Sequence, residues 1–147
     1  MRWRRYLAGA AALAGVAAPF AGSPRARIDL AELARAVAAE EDHVSASELA
    51  RWLRERRPGL RLIDVREASE YAAYHIPSAE HVPLAALAAA RFAPDDTIVL
   101  YSERGVHAGQ AWVFLRALGH RNVVFLRGGL EEWRDARAWS AERGRGC

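Results

Sequence analysis

The sequence predicts an α/β domain with a mainly parallel central sheet and helices on both of its faces. Short apolar runs rich in β-branched residues alternate along the chain with segments whose apolar residues recur at helical spacing. The glycine and proline residues between these segments are typical of turns. Strands that alternate with helices form parallel sheets that are covered on both faces, so the order of the segments indicates this fold class.

Length and charge indicate a single-domain protein and argue against a nucleic-acid partner. The chain has 147 residues, of which 52% are hydrophobic, so it suits one domain with a single apolar core. Its net charge is +3, but three of the 21 basic residues, Arg2, Arg4 and Arg5, precede the first acidic residue, and the other 18 balance 18 acidic residues. No arginine-rich stripe with interleaved aromatic residues follows, so no nucleic-acid partner is expected.

The N-terminus has the pattern of a targeting segment. The three arginines precede an apolar stretch from Tyr6 to Ala21, the order found in secretory signals. We expect residues 1–26 to be a cleaved signal peptide or, as the alternative, an uncleaved membrane anchor through residues 6–21. Both predict a bacterial protein that is exported to the periplasm or held at the cytoplasmic membrane facing the periplasm.

The first predicted elements precede the main sheet. Residues 27–42 are predicted to be a helical linker that either docks on the domain or links it to the membrane, because Ile28, Leu30, Leu33 and Val37 recur at near-helical spacing. The sequence Ser45-Ala46-Ser47-Glu48 is a capping box that opens a second helix, and Pro58-Gly59 ends that helix.

The remaining elements alternate along the rest of the chain. Strands are predicted at 60–65, 81–82, 97–101 and 122–126, and helices at 67–74, 84–92, 106–118 and 130–138. Residues 139–147 are predicted to be a polar tail. The candidate core residues of the last two helices are Val106, Trp112, Val113, Leu115, Leu118 and Trp133.

A loop between the strand at 97–101 and the next helix carries the candidate site. The apolar strand ends abruptly, a short polar segment with Gly105 follows, and the helix begins at Val106. Such a loop points backbone N–H groups inward, and the positive end of the helix dipole lies at its rim, so it is suited to hold an anion. Ser102 opens this loop at the position where a nucleophile would stand.

Several motifs in this order resemble a known family. The first half holds Leu62-Ile63-Asp64-Val65-Arg66-Glu67, His75-Ile76-Pro77-Ser78-Ala79 and Val82-Pro83-Leu84, and the second half holds Ile98-Val99-Leu100-Tyr101, the loop from Ser102, and Leu126-Arg127-Gly128-Gly129-Leu130-Glu131-Glu132-Trp133. Together they resemble the rhodanese-like (sulfurtransferase homology) domain family over residues 43–138. The resemblance implies a three-layer fold with about five short strands.

The resemblance also implies what the loop is for. Rhodanese domains accept sulfane sulfur on a loop cysteine, and the matching position here is Ser102. A hydroxyl ionises far less readily than a thiol, and an O–S bond does not store exchangeable sulfur. The resemblance therefore implies a family member that is not catalytic as a persulfide sulfurtransferase. Its anion-binding loop would comprise Ser102, Glu103, Arg104, Gly105, Val106 and His107.

Other residues depart from the family pattern or support the loop. His107 stands where family loops often carry an arginine, and Tyr74 and Ser78 replace two usual glycines. Glu103 adds a negative charge beside the expected anion site. Five residues are expected to support the loop, namely Asp64, Arg66, His75, Gly128 and Gly129. Because the histidines lack neighbouring residues at metal-ligand spacing, no metal site is predicted, and no cofactor is expected.

Three functions remain open at this point. The first is a non-catalytic domain whose loop binds a small anion or a partner protein. The second is an active thiosulfate or persulfide sulfurtransferase that uses a substitute thiol, for which Cys147 is the one cysteine in the chain. The third is a hydrolase of small anionic esters in which Ser102 and His107 act as nucleophile and base.

Overall fold

The computed structural model describes residues 29–144, with side chains described to residue 138. Five strands and five α-helices follow one another with one 3₁₀ helix among them. The strands are β1 (His43–Val44), β2 (Leu60–Asp64), β3 (Glu80–His81), β4 (Thr97–Tyr101) and β5 (Val123–Leu126). The α-helices are α1 (Leu30–Ala38), α2 (Ala46–Arg54), α3 (Ala68–Ala73), α4 (Val106–Ala117) and α5 (Gly129–Gly144), and the 3₁₀ helix is Leu84–Ala89.

The five strands form one sheet in the order β1-β5-β4-β2-β3. All four strand pairs are parallel, with Ile63 opposite Leu100 in the central pair. The predicted fold class is therefore confirmed. Because parallel strands end at the same edge, the loop after β4 and the residues after β2 and β5 meet at one edge of the sheet.

The two faces of the sheet carry separate apolar cores, and successive residues of β4 point alternately into one core and the other. Val99 and Tyr101 belong to the core beneath α2 and α5. Ile98 and Leu100 belong to the core that includes α4 and the 3₁₀ helix. This alternation follows from the two-residue period of a strand, and a helical layer covers each face.

Local sequence signals account for where the helices begin. The Ser45 hydroxyl accepts a hydrogen bond from the Glu48 N–H at 3.2 Å, which caps α2 as its sequence predicts. A capping box opens α3. The Glu67 side chain accepts a hydrogen bond from the Glu70 N–H, and the Glu70 side chain accepts one from the Glu67 N–H. The α4 helix begins after Gly105, whose φ of +86° favours glycine.

Helix α1 lies against the domain. Leu33 and Ala36 pack on the core beneath α4. The Glu32 carboxylate accepts hydrogen bonds from Arg116 at 2.5 Å and from Arg121 at 2.8 Å. Among the described residues, no helix combines the length and apolarity that crossing a bilayer requires.

Some expected details differ from the structure. The edge strand β1 was not predicted, the segment at 84–92 forms a 3₁₀ helix rather than an α-helix, and α5 extends to Gly144 through most of the expected polar tail.

Three candidate core residues of α4 are exposed, namely Val106 at 68%, Val113 at 44% and Leu118 at 37%. The apolar residues of α4 surround the helix, so periodicity does not identify its buried face. The predicted targeting segment 1–26 and Cys147 lie outside the described residues.

Candidate functional site

The candidate loop lies at the carboxyl edge of the sheet, between β4 and α4. Ser102 follows the last residue of β4 and is only 2% exposed. Its hydroxyl accepts a hydrogen bond from the Ala108 N–H at 3.3 Å, from the first turn of α4. The Ser102 side chain is therefore directed into the loop rather than to solvent.

The backbone of the loop is suited to contact an anion. Within the described chain, the N–H groups of residues 103–107 have no hydrogen-bond acceptor. Gly105 turns the chain into α4 with its left-handed φ, so the last of these groups belong to the first turn of that helix. Free N–H groups beside the positive end of a helix dipole attract negative charge.

The start of α5 is hydrogen-bonded to the main chain of the loop, and Gly129 makes this close approach possible. The N–H of Leu130 donates to the Ser102 carbonyl at 2.9 Å, and the N–H of Glu131 donates to the Glu103 carbonyl at 3.1 Å. Gly129 has a φ of +64°, and a Cβ there would lie 2.7 Å from the Glu103 carbonyl oxygen and closer still to that of Ser102. The backbone approach therefore requires glycine at this position.

The carboxylate of Glu103 is engaged by two arginines. One oxygen accepts a hydrogen bond from Arg66 at 2.9 Å, and the other accepts one from Arg134 at 2.8 Å. The guanidinium of Arg134 also lies 4.8 Å from the ring centroid of Tyr74. The negative charge that the sequence places beside the predicted anion site is thus paired with Arg134 and with Arg66, which Glu103 shares with Asp64.

Asp64 and Arg66 form a buried ion pair beneath this contact. Arg66 donates from Nη2 to Asp64 at 2.7 Å and to the Tyr74 carbonyl at 2.7 Å. Burial opposes the charge of Arg66, but the hydrogen bonds and charge of Asp64 outweigh it, so the pKa of Arg66 is raised. The contacts of Arg66 join the end of β2, the end of α3 and the Ser102 loop.

Tyr101 fixes the segment that follows α3. Its hydroxyl accepts a hydrogen bond from the Ile76 N–H at 3.1 Å, and the whole residue is buried. Burial raises the pKa of the Tyr101 hydroxyl well above its usual value, and the neighbouring Asp64 charge raises it further. Tyr101 is therefore a neutral structural group at the edge of the site.

His75 lies in an aromatic stack beside the site. Its ring is stacked on Tyr71 with centroids 4.0 Å apart, and its Nδ1 is 3.0 Å from the Tyr71 carbonyl oxygen. His81 stacks on Tyr71 as well, and its Nε2 is 2.9 Å from the Arg66 carbonyl oxygen. Within residues 29–138, no group of three His, Cys, Asp or Glu side chains is placed to hold a metal.

The other loop residues face solvent. Arg104 is exposed, and its guanidinium lies 3.2 Å from Glu131 rather than over the loop. Val106 and His107 are also exposed, and in the described structure no hydrogen bond joins His107 to Ser102. This arrangement does not provide the nucleophile–base contact that a hydrolase would need.

Two contributors to the site were not identified from the sequence. Arg134 neutralises Glu103 from α5, and the carbonyl of Tyr74 accepts from Arg66. Arg134 and Glu103 are 31 residues apart in sequence, and a main-chain carbonyl such as that of Tyr74 has no residue signature. The one available signal was that α5 starts at the Gly128-Gly129 turn, which places its early arginine near the loop.

Comparisons with known proteins agree with this fold. A model of the rhodanese-like domain matches residues 45–136, which is more than half of the chain. The probable adenylyltransferase/sulfurtransferase MoeZ of Mycobacterium tuberculosis is 33% identical over 102 residues, covering 67% of this chain and 26% of that protein. The matched region thus spans about a quarter of that relative.

Solved structures give the same result. The rhodanese-like domain of the Anabaena Alr3790 protein superimposes with a TM-score of 0.60 at 28% identity, covering 65% of this chain and 74% of that one. The human single domain sulfurtransferase TSTD1 superimposes with a TM-score of 0.58 at 29% identity, covering 64% of this chain and 96% of that one. The chain therefore belongs to the rhodanese-like domain family and is related to sulfurtransferases.

Proposed function

We propose that this rhodanese-like domain does not transfer sulfur at Ser102 and that its loop binds a small anion or a partner protein. The observation that carries the proposal is the position of the Ser102 hydroxyl, which is buried at the base of the loop and accepts a hydrogen bond from Ala108. That hydroxyl stands where the family has its sulfur-accepting cysteine.

The chemistry of oxygen supports the first part of the proposal. Sulfur transfer requires a thiolate that attacks a sulfane sulfur and then holds it as a persulfide. A serine hydroxyl stays protonated near neutral pH, and its oxygen forms no stable bond to exchangeable sulfur. The N–H groups of the loop could stabilise an anion, but they cannot convert Ser102 into a sulfur carrier.

The surroundings of the loop support the second part. Residues 103–107 offer N–H groups without acceptors, and the charge of Glu103 is compensated by Arg66 and Arg134. The side chain of Val106 is 68% exposed at the rim. Backbone donors beside an exposed apolar group could contact an acidic or phosphorylated segment of a partner protein.

A sulfur-transfer assay tests the catalytic part of the proposal. We expect the full chain to transfer no sulfur from thiosulfate to cyanide above the uncatalysed rate, and Ser102→Cys to gain activity because the loop already surrounds that position. Ser102→Ala serves as the matched control without a nucleophile. Sulfur transfer by the wild-type chain would contradict the proposal. If Cys147→Ser then abolished that activity, the substitute-thiol alternative would be favoured.

An NMR titration tests the binding part. Addition of thiosulfate or sulfate should shift the amide resonances of residues 103–107, and it should do so at lower anion concentrations than those that shift resonances at the opposite edge of the sheet. Gly129→Ala, which displaces the loop, should reduce these shifts, whereas Gly109→Ala on α4 should not. Shifts spread evenly over exposed arginines would contradict binding in the loop.

We also propose that residues 1–26 direct export or anchor the domain in the cytoplasmic membrane. The supporting observations are the three arginines before Tyr6 and the apolar stretch from Tyr6 to Ala21. Basic residues that precede an apolar segment stay on the cytoplasmic side, so the domain would face the periplasm.

A further inference from the structure

A cavity lies at the opposite edge of the sheet from the Ser102 loop. It has a volume of about 570 Å³ and is bounded by α1, the end of α2, the starts of β4 and β5, and α4. Cavities of roughly 300–1,000 Å³ are typical of small-molecule sites. No step of the proposed function uses this cavity.

The charged side chains of the cavity are mainly cationic. Four arginines line it together with Glu32 and Glu41, so the lining is basic despite the neutral balance of the domain; the four are Arg35, Arg57, Arg116 and Arg121. Glu32 is shared between Arg116 and Arg121. Within residues 29–138, Arg35 and Arg57 form no ion pair with a carboxylate, so both remain available to an anion.

Two tryptophans lie beside these guanidinium groups. The guanidinium carbon of Arg57 lies 4.3 Å from the ring centroid of Trp52, and that of Arg116 lies 5.9 Å from that of Trp112. Both pairs line the cavity. The Trp112 ring is fixed, because its Nε1 donates to the Val123 carbonyl at 2.8 Å. Since Trp112 is only 3% exposed and Arg57 covers one face of Trp52, the cavity offers guanidinium groups that are backed by aromatic rings.

This combination suits a ligand that carries a flat ring and a phosphate. Guanidinium groups bind phosphate oxygens through paired hydrogen bonds, and planar rings stack on the flat face of an arginine guanidinium. We propose that the cavity binds a small aromatic phosphate of the size of a nucleoside monophosphate. The cavity volume of about 570 Å³ suits one such molecule, whereas a nucleic-acid strand would need a longer basic track.

Calorimetric titration of the full chain with AMP tests this site. We expect saturable binding with a Kd below about 1 mM at low ionic strength, and affinities at least about tenfold weaker for adenosine and for inorganic phosphate alone. The expected weakening with added salt follows from the charge of the arginines. Equal affinity for AMP and phosphate would overturn the proposal, because it would mean that the ring contributes nothing.

Matched variants locate the binding. Arg57→Gln and Arg35→Gln should each weaken AMP binding at least about fivefold. Both side chains are exposed, so these substitutions should leave folding intact. Arg54→Gln is the control, because Arg54 is exposed on the same helix as Trp52 but does not line the cavity. Unchanged AMP binding in Arg57→Gln, or no binding by the wild-type chain, would overturn the proposal.

Discussion

The loop after β4 is shaped by main-chain contacts that do not depend on the side chain of residue 102. The carbonyls of Ser102 and Glu103 accept hydrogen bonds from the first N–H groups of α5, and Gly129 allows the two segments to approach. We therefore expect Ser102→Cys to introduce a thiol into this loop without changing the main-chain contacts that shape it. This separation of shape from reactivity is why Ser102→Cys is an informative variant.

Gly129 gives a prediction that contrasts two glycines close to the loop. In Gly129→Ala a methyl group would collide with the loop carbonyls at an unfavourable φ, so we expect a loss of at least about 1–3 kcal/mol in the free energy of unfolding. Gly109 lies in α4 with open space around it, so Gly109→Ala should stabilise by about 0.5–1 kcal/mol. Urea unfolding measures both, and a similar effect of the two substitutions would contradict this interpretation.

Tyr101 gives a prediction about alkaline pH. The folded protein holds the phenolic proton more tightly than the unfolded chain, because burial raises the pKa of Tyr101. Its contribution to stability is therefore constant well below pH 10 and is lost as the pH rises through and above the unfolded pKa of about 10. We expect the free energy of unfolding to fall between about pH 9.5 and 11.

The variant Tyr101→Phe separates this effect from other titrations. It should be less stable at pH 7 by about 1–3 kcal/mol, because the buried Ile76 N–H loses its acceptor. Its stability should then fall less steeply above pH 10 than that of the wild type. Tyr74→Phe is the control, since Tyr74 is 41% exposed. Equal slopes in the wild type and Tyr101→Phe would show that Tyr101 is not the group responsible.

At the scale of elements, the ion pairs of Glu103 and the hydrogen bond from Arg66 to the Tyr74 carbonyl connect four segments of the carboxyl edge. Arg66 follows β2, Glu103 lies before α4, Arg134 belongs to α5, and the Tyr74 carbonyl ends α3. The buried Asp64 holds Arg66 in the position from which it contacts the others. Removing one partner of such a buried pair leaves an uncompensated charge, so these segments depend on one another.

The cap of α2 gives an element-scale prediction. Ser45→Ala removes the acceptor of the Glu48 N–H, so we expect a loss of about 1 kcal/mol in the free energy of unfolding. Ser47→Ala, inside the first turn of the same helix, should have a smaller effect because alanine favours helix interiors. Thermal unfolding followed by circular dichroism compares the two, and an equal loss in both variants would argue against the cap.

The elements also show what the sequence can predict. Strand β4 was predicted with its observed bounds, because five apolar or β-branched residues between turn signals leave few alternatives. Strand β1 was missed, since two residues cannot display a period and are defined by their pairing with Phe125 and Leu126. The position of Ser102 at the end of β4 could be predicted because the apolar strand before it and the glycine after it are visible in the local sequence. The contact of Glu103 with Arg134 could not be predicted, because it depends on tertiary packing.

At the scale of the whole molecule, the two edges of the sheet differ in their chemistry. The carboxyl edge carries the Ser102 loop, where the charge of Glu103 is compensated and main-chain donors remain. The amino edge carries the cavity with Arg35 and Arg57, which is closed on one side by α1. Helix α1, which follows the predicted targeting segment in the sequence, lies at this amino edge.

Cellular location tests the proposed targeting role of residues 1–26. Fusion of bacterial alkaline phosphatase, which is active only after export, to the C-terminus of the chain should give activity in intact cells. The same fusion starting at Ile28 should be inactive, because it lacks the three arginines and the apolar stretch from Tyr6 to Ala21. Equal activity of the two fusions would contradict the targeting role. If the segment is cleaved, the active fusion will be found shortened in the periplasmic fraction, whereas an anchor will keep it at full length in the membrane fraction.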